Sequence, residues 1–300
     1  MRTVAVTGAS GLIGTALTAA LEERGDQVIP VGRRPPTGGV AWDPVARRID
    51  GAALEGVDAV VHLAGERIDG RWTASKKTRI LHSRVEGTEL LVRTLSDLDR
   101  PPSVVVSASA IGFYGDRGDE ELTEDSEPGT GFLAEVCERW EAAAAPIASP
   151  DTRLVLARTG IVCTPDGGAL QRMLSLTRLG LGGRLGNGRQ WWPWITLDDE
   201  IRALLHLLDT PLAGPVNLVA PGICRNAEFV RDLARALRRP AVLPAPALAL
   251  RAVLGEMANG LLLASTRGRP VRLEESGFTF RSPNLTSAIA EMISAGRGRP

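Results

Sequence analysis

The glycine-rich stretch "VTGASGLIGTAL", residues 6–17, is the clearest indication of the fold. It places Gly8, Gly11 and Gly14 in a G-x-x-G-x-x-G series between a predicted strand and a predicted helix. Glycine lets the backbone turn tightly and approach a diphosphate, and the N–H groups and dipole of the helix start favour its negative charge. The stretch therefore predicts a dinucleotide site, with contacts from Gly8, Ser10, Gly11, Leu12, Ile13 and Gly14. The alternative is a turn with a purely structural role.

Short β-branched segments alternate with helical patterns through the first half of the chain. The strand candidates are "TVAVTG" (3–8), "QVIPVG" (27–32), "DAVVHLAG" (58–65), "SVVVSAS" (103–109) and "RLVLARTGIV" (153–162). Helical patterns lie between them, at 12–24, 73–97 and 131–145. This alternation predicts an α/β fold, a doubly wound parallel sheet of the Rossmann type with right-handed crossovers.

The character of the sequence changes after residue 162. The stretch "TPDGGALQRMLSLTRLGLGGRLGNGRQWWPW" (164–194) is rich in glycine and arginine and holds three tryptophans, while strand-like "GPVNLVA" (214–220) returns to the sheet. We therefore predict two interleaved lobes. The NADP-binding Rossmann domain comprises residues 1–165 and 194–222, and a smaller C-terminal, substrate-side lobe comprises residues 166–193 and 223–300.

Composition excludes several classes of partner. Among 300 residues, Lys plus Arg equals Asp plus Glu at 35 each, so no global field favours nucleic acid or an anionic membrane. The most apolar segment, 241–265, contains Arg251, Glu256 and two prolines, which does not suit a membrane span. Three widely spaced cysteines fit neither a disulfide framework nor a zinc site, and the histidines lack metal-ligand spacing. We expect a cytoplasmic protein with a small-molecule substrate and no metal.

The end of the second predicted strand, "VGRRPP" (31–36), indicates which dinucleotide binds. An acidic residue here would accept hydrogen bonds from the ribose 2′-hydroxyl of NAD, but Arg33 and Arg34 stand in its place. Guanidinium groups suit a 2′-phosphate, so the sequence predicts NADP as the cofactor rather than NAD. The alternative is a solvated basic loop.

Several motifs together resemble one enzyme superfamily over nearly the whole chain. They are "TGASGLIG" (7–14), "VGRR" (31–34), "DAVVHLAGE" (58–66), "RWTASKKTRILHSRVEGTELL" (71–91), "SASAIGFYGDRGDEELTE" (107–124), "GFLAEVCERWE" (131–141), "ARTGIV" (157–162), "WWPWITLDD" (191–199) and "VNLVAP" (216–221). On these residues the chain resembles the extended short-chain dehydrogenase/reductases, specifically their atypical, epimerase-like branch. "LGEMANGLLLAS" (254–265) and "RLEESGFTFRSPNLTSAI" (272–289) resemble that branch's own C-terminal domain, whose role is unassigned.

The resemblance implies roles for further residues. Residues at the end of the predicted strand 58–65, which matches the superfamily's fourth strand, would pass beneath the adenosine and diphosphate: Leu63, Ala64 and Gly65, with Glu66 just beyond. Ser107 and Ser109 would end the predicted strand 103–109, which matches the superfamily's fifth, beside the nicotinamide, and Arg158 and Ile161 would close around its ring. The alternatives are a merely buried strand end for 62–65 and an interlobe salt bridge for Arg158.

The proton relay of the superfamily is missing from this chain. In its working enzymes a tyrosine exchanges a proton, and a lysine four residues later lowers the pKa of that tyrosine from about 10. The corresponding helix, "GFLAEVCERWE", carries Phe132 and Val136 instead, and the usual asparagine of the preceding helix is Arg84 in "SRVEGT". The ordinary relay is therefore absent or rebuilt.

Tyr114, the only tyrosine, lies in "AIGFYGDRG" (110–118) and is the remaining candidate acid. In this hypothesis Ser107 polarises a carbonyl, Tyr114 exchanges the proton, and Lys76 or Lys77 supplies a cation. The alternative is a packed ring whose hydroxyl is hydrogen-bonded. A second basic and aromatic stretch, "GNGRQWWPW" (186–194), together with Arg184, is suited either to gripping an anion or to lobe packing.

Two functions are compatible with this pattern. The first is an NADP-dependent oxidoreductase or epimerase-like enzyme that acts on an unidentified sugar nucleotide or carbonyl compound. The second is a non-catalytic NADP-binding regulator or redox sensor, with a protein partner at the C-terminal lobe or as a homodimer. The intact glycine series favours both, and the missing relay favours the second.

Overall fold

The computed structural model of the chain describes residues 1–297, so the last three residues of the expected C-terminal lobe lie outside the described part. Its strands are β1 (Thr3–Thr7), β2 (Gln27–Gly32), β3 (Val40–Asp43), β4 (Arg48–Ile49), β5 (Ala59–His62), β6 (Val104–Ala110), β7 (Glu121–Leu122), β8 (Arg153–Thr159), β9 (Ile161–Cys163), β10 (Trp191–Trp192), β11 (Trp194–Thr196), β12 (Gly214–Leu218), β13 (Cys224–Arg225) and β14 (Arg267–Gly268).

The helices are α1 (Leu12–Glu23), α2 (Ala74–Ser96), α3 (Phe132–Ala144), α4 (Gly168–Arg178), α5 (Leu197–Asp209), α6 (Asn226–Leu237), α7 (Ala247–Leu254), α8 (Val271–Glu275) and α9 (Leu285–Arg297). A short 3₁₀ turn at Ile111–Tyr114 follows β6, and a π turn at Ala258–Leu263 follows α7. The first three helices agree with the predicted ones to within a residue at each end.

Eight strands form one sheet in the order β12-β8-β6-β5-β1-β2-β3-β4. Every neighbouring pair from β12 to β3 is parallel, and only the edge pair β3 and β4 is antiparallel. The order runs outward in both directions from β1, so the carboxyl ends of β1 and β5 lie side by side. The predicted doubly wound Rossmann sheet is confirmed.

Helices cover both faces of the sheet. Side chains of a strand point alternately to its two faces, so Val4, Val6 and Val61 pack with α1 and α5, while Ala5 and Val60 pack against α2. These strand residues are almost wholly buried, as expected for a parallel sheet between two helical layers.

The second half of the chain joins the eight-stranded sheet through β8 and β12 and also forms three separate two-stranded ladders. β9 pairs with β11, β10 pairs with β13, and β7 pairs with β14, so the C-terminal segment contacts the loop that follows β6. Helices α4, α6 and α9 share a core around Trp194 and Phe229. Within residues 1–297, no helix is long and apolar enough to cross a bilayer.

Candidate functional site

The glycine turn between β1 and α1 forms a cradle of bare backbone. Gly8 adopts a left-handed φ of 69°, and a Cβ atom there would lie 3.0 Å from the backbone nitrogen of Ala64. A Cβ atom at Gly14 would overlap the carbonyl oxygen of Gly8. Gly11 precedes the helix, and the N–H groups of its first turn have no intrahelical acceptors. These features leave room and donors for a diphosphate.

The Gly14 position yields a testable prediction. Gly14→Ala forces the added methyl group against the backbone of the turn, so we expect the free energy of unfolding to fall by about 1–3 kcal/mol. Urea unfolding measures this change. Gly32→Ala is the matched control, because a Cβ atom at Gly32 has nothing within 4 Å and its φ is not left-handed. Equal stability of the two variants would contradict the cradle geometry.

A buried hydrogen-bond chain fixes the end of β5 against β1. The Thr7 hydroxyl accepts from the backbone nitrogens of Leu63 and Ala64 at 3.1 and 3.2 Å and lies 2.7 Å from His62 Nδ1. His62 Nε2 lies 3.0 Å from the Thr88 hydroxyl. Burial and the charge of Arg84 lower the pKa of His62 to about 4, so the ring is neutral. His62 therefore positions the backbone beneath the predicted cofactor, as a core histidine.

The two arginines predicted to read the 2′-phosphate lie at the carboxyl end of β2. Arg33 and Arg34 are both exposed. Neither forms a hydrogen bond or an ion pair with any residue in the described part of the chain. Their guanidinium groups are therefore available to a ligand at this edge of the sheet, and their predicted role stays a prediction.

The region beyond β5 is basic, and most of its charged side chains form ion pairs with other residues of the protein. The Glu66 carboxylate accepts a hydrogen bond from Lys76 Nζ at 2.8 Å and lies 3.6 Å from Arg79 Nε. The hydrogen bond from Lys76 is the main reason that the pKa of Glu66 is lowered. Lys77 in turn pairs with Glu256 at 2.9 Å. Both lysines considered as stand-in cations for a tyrosine are therefore already engaged.

Ser107 and Ser109 have different surroundings at the end of β6. Ser107 is buried, and its hydroxyl makes only a long contact of 3.5 Å with the Ala108 carbonyl oxygen. The Ser109 hydroxyl donates to the Glu141 carboxylate at 2.6 Å. Of the two, Ser107 has the less committed hydroxyl, and its catalytic role stays a prediction.

Tyr114 lies inside the protein in a polar network. Its ring is 0 % exposed, and its hydroxyl donates to Asn217 Oδ1 at 2.8 Å and accepts from Arg158 Nη1 at 2.9 Å. Arg158 also donates to both oxygens of Glu141, at 2.8 Å each, and its guanidinium stacks 3.5 Å from the centre of the Phe113 ring. The network ties β6, β8 and β12 to α3.

These contacts argue against two predicted roles. Burial is the main reason that the pKa of Tyr114 is raised, which further disfavours proton exchange near neutral pH. Arg158 is 4 % exposed and saturated by protein partners, so it matches the alternative of a salt bridge, although its carboxylate lies on α3 rather than in the other lobe. Ile161, by contrast, is only partly buried at the strand end where the resemblance places it.

Apolar side chains cover the face of α3 that would carry the usual tyrosine and lysine. Val136 lies in a buried apolar cluster with Trp72, Ile80 and Met257. Phe132 contacts the edge of the Trp72 ring at a centroid distance of 5.1 Å. Phe132 and Val136 of α3 thus stand in the places of a tyrosine and a lysine, and apolar residues from α2, the loop before it and the C-terminal segment pack against them.

The end of β8 holds an unexpected buried carboxyl group. Glu200, in the first turn of α5, accepts a hydrogen bond from the Thr159 hydroxyl at 2.8 Å, and its second oxygen has no partner among the described residues. Burial raises the pKa of Glu200 to about 8. Its neighbour Asp199 accepts from the backbone nitrogens of Arg281 and Ser282, which ties α5 to the C-terminal segment.

A cleft of about 670 Å³ lies beyond the Tyr114 loop. Four segments line it: Asp116 and Asp119 from the loop, Arg189 from "GNGRQWWPW", Arg225 from β13, and Ser265 from the C-terminal segment. Arg184 instead lines a separate groove of about 490 Å³. The two arginines considered together as an anion grip are therefore apart.

The structure describes no metal centre and no disulfide within residues 1–297. Cys137, Cys163 and Cys224 are all buried free thiols. Burial raises the pKa of Cys137 and of Cys163 to about 12, and also raises that of Cys224. Such thiols are poorly reactive, which argues against thiol-based redox sensing.

Two family models match the chain. Residues 4–219 match the NAD dependent epimerase/dehydratase family. The chain belongs to this family. Residues 245–292 match a domain of unknown function, DUF1731. The resemblance to an atypical extended short-chain dehydrogenase/reductase with its own C-terminal domain is confirmed.

Two similar proteins span nearly the same length as this chain, and a third is longer. An epimerase family protein of Mycobacterium bovis, Mb2239, is 43% identical over 290 residues, which are 95% of this chain and 96% of that protein. A crystal structure of human epimerase family protein SDR39U1 with NADPH is 36% identical, covers 97% of this chain and 99% of its own, and has a TM-score of 0.91. A nucleoside-diphosphate sugar epimerase from Corynebacterium glutamicum is 37% identical with a TM-score of 0.82, and this chain spans 58% of it.

Proposed function

We propose that this protein binds NADPH and acts as an NADP-dependent oxidoreductase or epimerase-like enzyme on a small molecule, either a sugar nucleotide or a carbonyl compound. The observation that carries the proposal is the tight glycine turn at Gly8 and Gly14, where a Cβ atom would collide with neighbouring backbone, together with the uncapped N–H groups of the helix that it opens, which suit a diphosphate. The human SDR39U1 structure with NADPH supports the same cofactor.

The residues present fit that cofactor. The diphosphate would lie at the N-terminus of α1, over Gly11, and the 2′-phosphate would meet Arg33 and Arg34 at the end of β2. When bound, NADPH supplies a hydride. The backbone of Leu63 and Ala64, fixed by Thr7, would support the adenosine side. Ile161 would border the nicotinamide, and Ser107 would donate to the substrate oxygen.

In this proposal Tyr114 and Arg158 serve packing rather than chemistry. Both are enclosed by hydrogen bonds to buried partners, so neither can reach a substrate without breaking the network. The proton that the substrate oxygen exchanges in the reaction therefore comes from a group other than Tyr114. The three buried free thiols are in keeping with a reducing compartment, which we take to be the cytoplasm.

Arg33 provides a test of cofactor choice. Arg33→Ala removes a charge-assisted hydrogen bond to the 2′-phosphate, so we expect NADPH affinity to fall by about tenfold or more while NADH affinity stays unchanged. Isothermal titration calorimetry measures both affinities. Arg48→Ala, an exposed arginine on the neighbouring edge strand β4, is the matched control. Equal NADPH and NADH affinities in the wild type, unaltered by Arg33→Ala, would remove the 2′-phosphate argument.

The competing function is a non-catalytic NADP-binding regulator, with a protein partner at the C-terminal lobe or as a homodimer. The apolar packing of Phe132 and Val136 where a relay would stand favours it. Two assays separate the two functions: transfer of deuterium from 4-deuterated NADPH to a panel of carbonyl compounds, and conversion of sugar nucleotides to their epimers by the protein with NADP⁺, where the hydride returns to the same sugar. Deuterium transfer or epimer formation supports the enzyme, whereas cofactor binding without either reaction supports the regulator.

A further inference from the structure

Arg84 occupies a distinctive place between α2, α3 and the end of β5. Its guanidinium lies 4.9 Å from the centre of the Trp140 ring. Its Nη1 donates to the carbonyl oxygens of Glu66 at 3.0 Å and Ile80 at 3.3 Å. The side chain is only partly exposed. Arg84 is therefore held in one orientation by two carbonyl groups and an aromatic face.

No carboxylate forms an ion pair with this guanidinium among residues 1–297. The nearby Glu66 carboxylate is engaged by Lys76 and Arg79. Burial lowers the pKa of Arg84, which reflects the cost of taking its charge out of water, and attraction to the Glu66 carboxylate offsets only part of that cost. A largely enclosed cation without an ion-pair partner destabilises a fold, and a bound anion would relieve that cost.

The free part of Arg84 has a defined shape. In Arg158 the Nε and Nη2 groups donate side by side to the two oxygens of Glu141, at 2.8 Å each. In Arg84 the same Nε and Nη2 edge has no hydrogen-bond partner within the described residues. That edge matches the two oxygens of a carboxylate or phosphate, as the buried pair in this protein illustrates.

The edge lies where ligands bind in this fold. A Cβ atom at Gly65 would lie 3.1 Å from Cζ and 3.3 Å from Nη2 of Arg84, so the absence of a side chain there gives the guanidinium its room. Gly65 follows β5 at the carboxyl edge of the parallel sheet, which is the ligand-binding edge of doubly wound folds. Arg84 also lies beside the apolar face of α3, where Val136 carries no charge.

We propose that the Nε and Nη2 edge of Arg84 binds an anionic group of a ligand, a carboxylate or a phosphate, at the end of β5. The anion belongs either to the substrate or to the diphosphate of NADPH, so the inference rests on the proposed function of an NADPH-dependent protein with a small-molecule substrate. It gives the site a cation from α2 in place of the lysine that α3 lacks.

Arg84→Met tests the proposal, because methionine retains an unbranched side chain but carries neither charge nor N–H groups. Arg79→Met, also on α2 but with a 56 % exposed side chain, is the matched control. Calorimetry gives the NADPH affinity of each protein. Thermal unfolding with oxalate or inorganic phosphate, with and without saturating NADPH, gives the stabilisation by a free anion.

If the anion is the cofactor diphosphate, we expect Arg84→Met to weaken NADPH binding by about tenfold or more and Arg79→Met to leave it within about threefold. If the anion belongs to the substrate, NADPH affinity stays within about threefold, and the rise in Tm that oxalate or phosphate produces in the wild type is lost only in Arg84→Met. Either result supports the subsite and names its source.

Unchanged NADPH affinity in Arg84→Met, together with an anion response no different from that of the wild type, overturns the proposal. Should Arg84→Met fail to fold, Arg84→Lys takes its place, since it keeps the charge and loses the fork. The anion titration without cofactor separates this result from failure of the proposed function. Wild-type protein that binds no NADPH defeats that function, while the anion arm still decides the role of Arg84.

Discussion

Replacing Glu141 by glutamine is expected to lower the free energy of unfolding by about 3–5 kcal/mol, since it leaves Arg158 as a buried charge without its counter-ion. The two side chains are only 9% and 5% exposed, and both oxygens of Glu141 accept from the guanidinium. Ser109 donates to the same carboxylate, so its hydrogen bond would lose the charge of its acceptor as well. Chemical denaturation of the two proteins at neutral pH measures the difference.

Glu135→Gln, on the same helix, is the control for Glu141→Gln. It alters an exposed pair with Arg139 at 3.6 Å, so we expect the free energy of unfolding to change by less than about 0.5 kcal/mol. A Glu141→Gln protein as stable as Glu135→Gln would contradict the buried ion pair.

Tyr114→Phe removes a hydroxyl group from the same network. We expect the free energy of unfolding to fall by about 1–3 kcal/mol while NADPH affinity stays unchanged. Loss of hydride transfer in a Tyr114→Phe protein of unchanged stability would instead indicate a catalytic role for Tyr114.

Glu200→Gln is expected to stabilise the protein under alkaline conditions, by about 4 kcal/mol at pH 9. Burial raises the pKa of the folded carboxyl group from 4.5 to about 8, so the folded state keeps a proton that the unfolded chain has released. The free energy of unfolding of the wild type therefore falls as pH rises from about 4.5 to about 8, and glutamine removes that dependence. Urea unfolding of both proteins from pH 5 to pH 9 measures the growing difference.

His62 makes the stability of both proteins depend on pH in the opposite direction, so comparing Glu200→Gln with the wild type cancels that contribution. The pKa of His62 is lowered from 6.5 to about 4, so its stabilising contribution is present above pH 6.5 and is lost as pH falls towards 4 in both proteins. Glu23→Gln, an exposed change on α1, is the control and should follow the wild type throughout. A difference between Glu200→Gln and wild type that stays constant with pH would show that Glu200 is not buried as described.

The parallel core of the fold was predictable because its signals are local. Each central strand is a short β-branched run, and the glycine turn at Gly8 and Gly14 requires a backbone that only the first βα turn provides. Edge strands such as β3 and β4, and two-residue ladders such as β10 with β13, were not predicted. Their pairing depends on partners far along the chain rather than on a local pattern. Helix α4 was not predicted either, since it lies in a segment rich in glycine, which disfavours helices.

The candidate site was predictable only on its backbone side. The glycine series and the Arg33–Arg34 pair follow from positions along the chain, whereas the environment of Tyr114 depends on Asn217, which lies 103 residues away. The partner of Arg158 is Glu141, which lies 17 residues earlier on a helix. The periodicity of that helix shows that the residue is charged, but not which residue it pairs with. Glu200 gave no signal, because burial of a carboxyl group in the first turn of a helix depends on how that helix packs.

A crystal structure of this protein with NADPH would show the proposed cofactor site itself. We expect diphosphate oxygens within about 3 Å of the backbone nitrogens at the start of α1, the 2′-phosphate against Arg33, and Tyr114 still hydrogen-bonded to Asn217 and Arg158. A nicotinamide ring whose C4 faces a Tyr114 hydroxyl released from that network would overturn the proposed packing role of Tyr114. A cofactor bound away from the glycine cradle would overturn the proposed cofactor site.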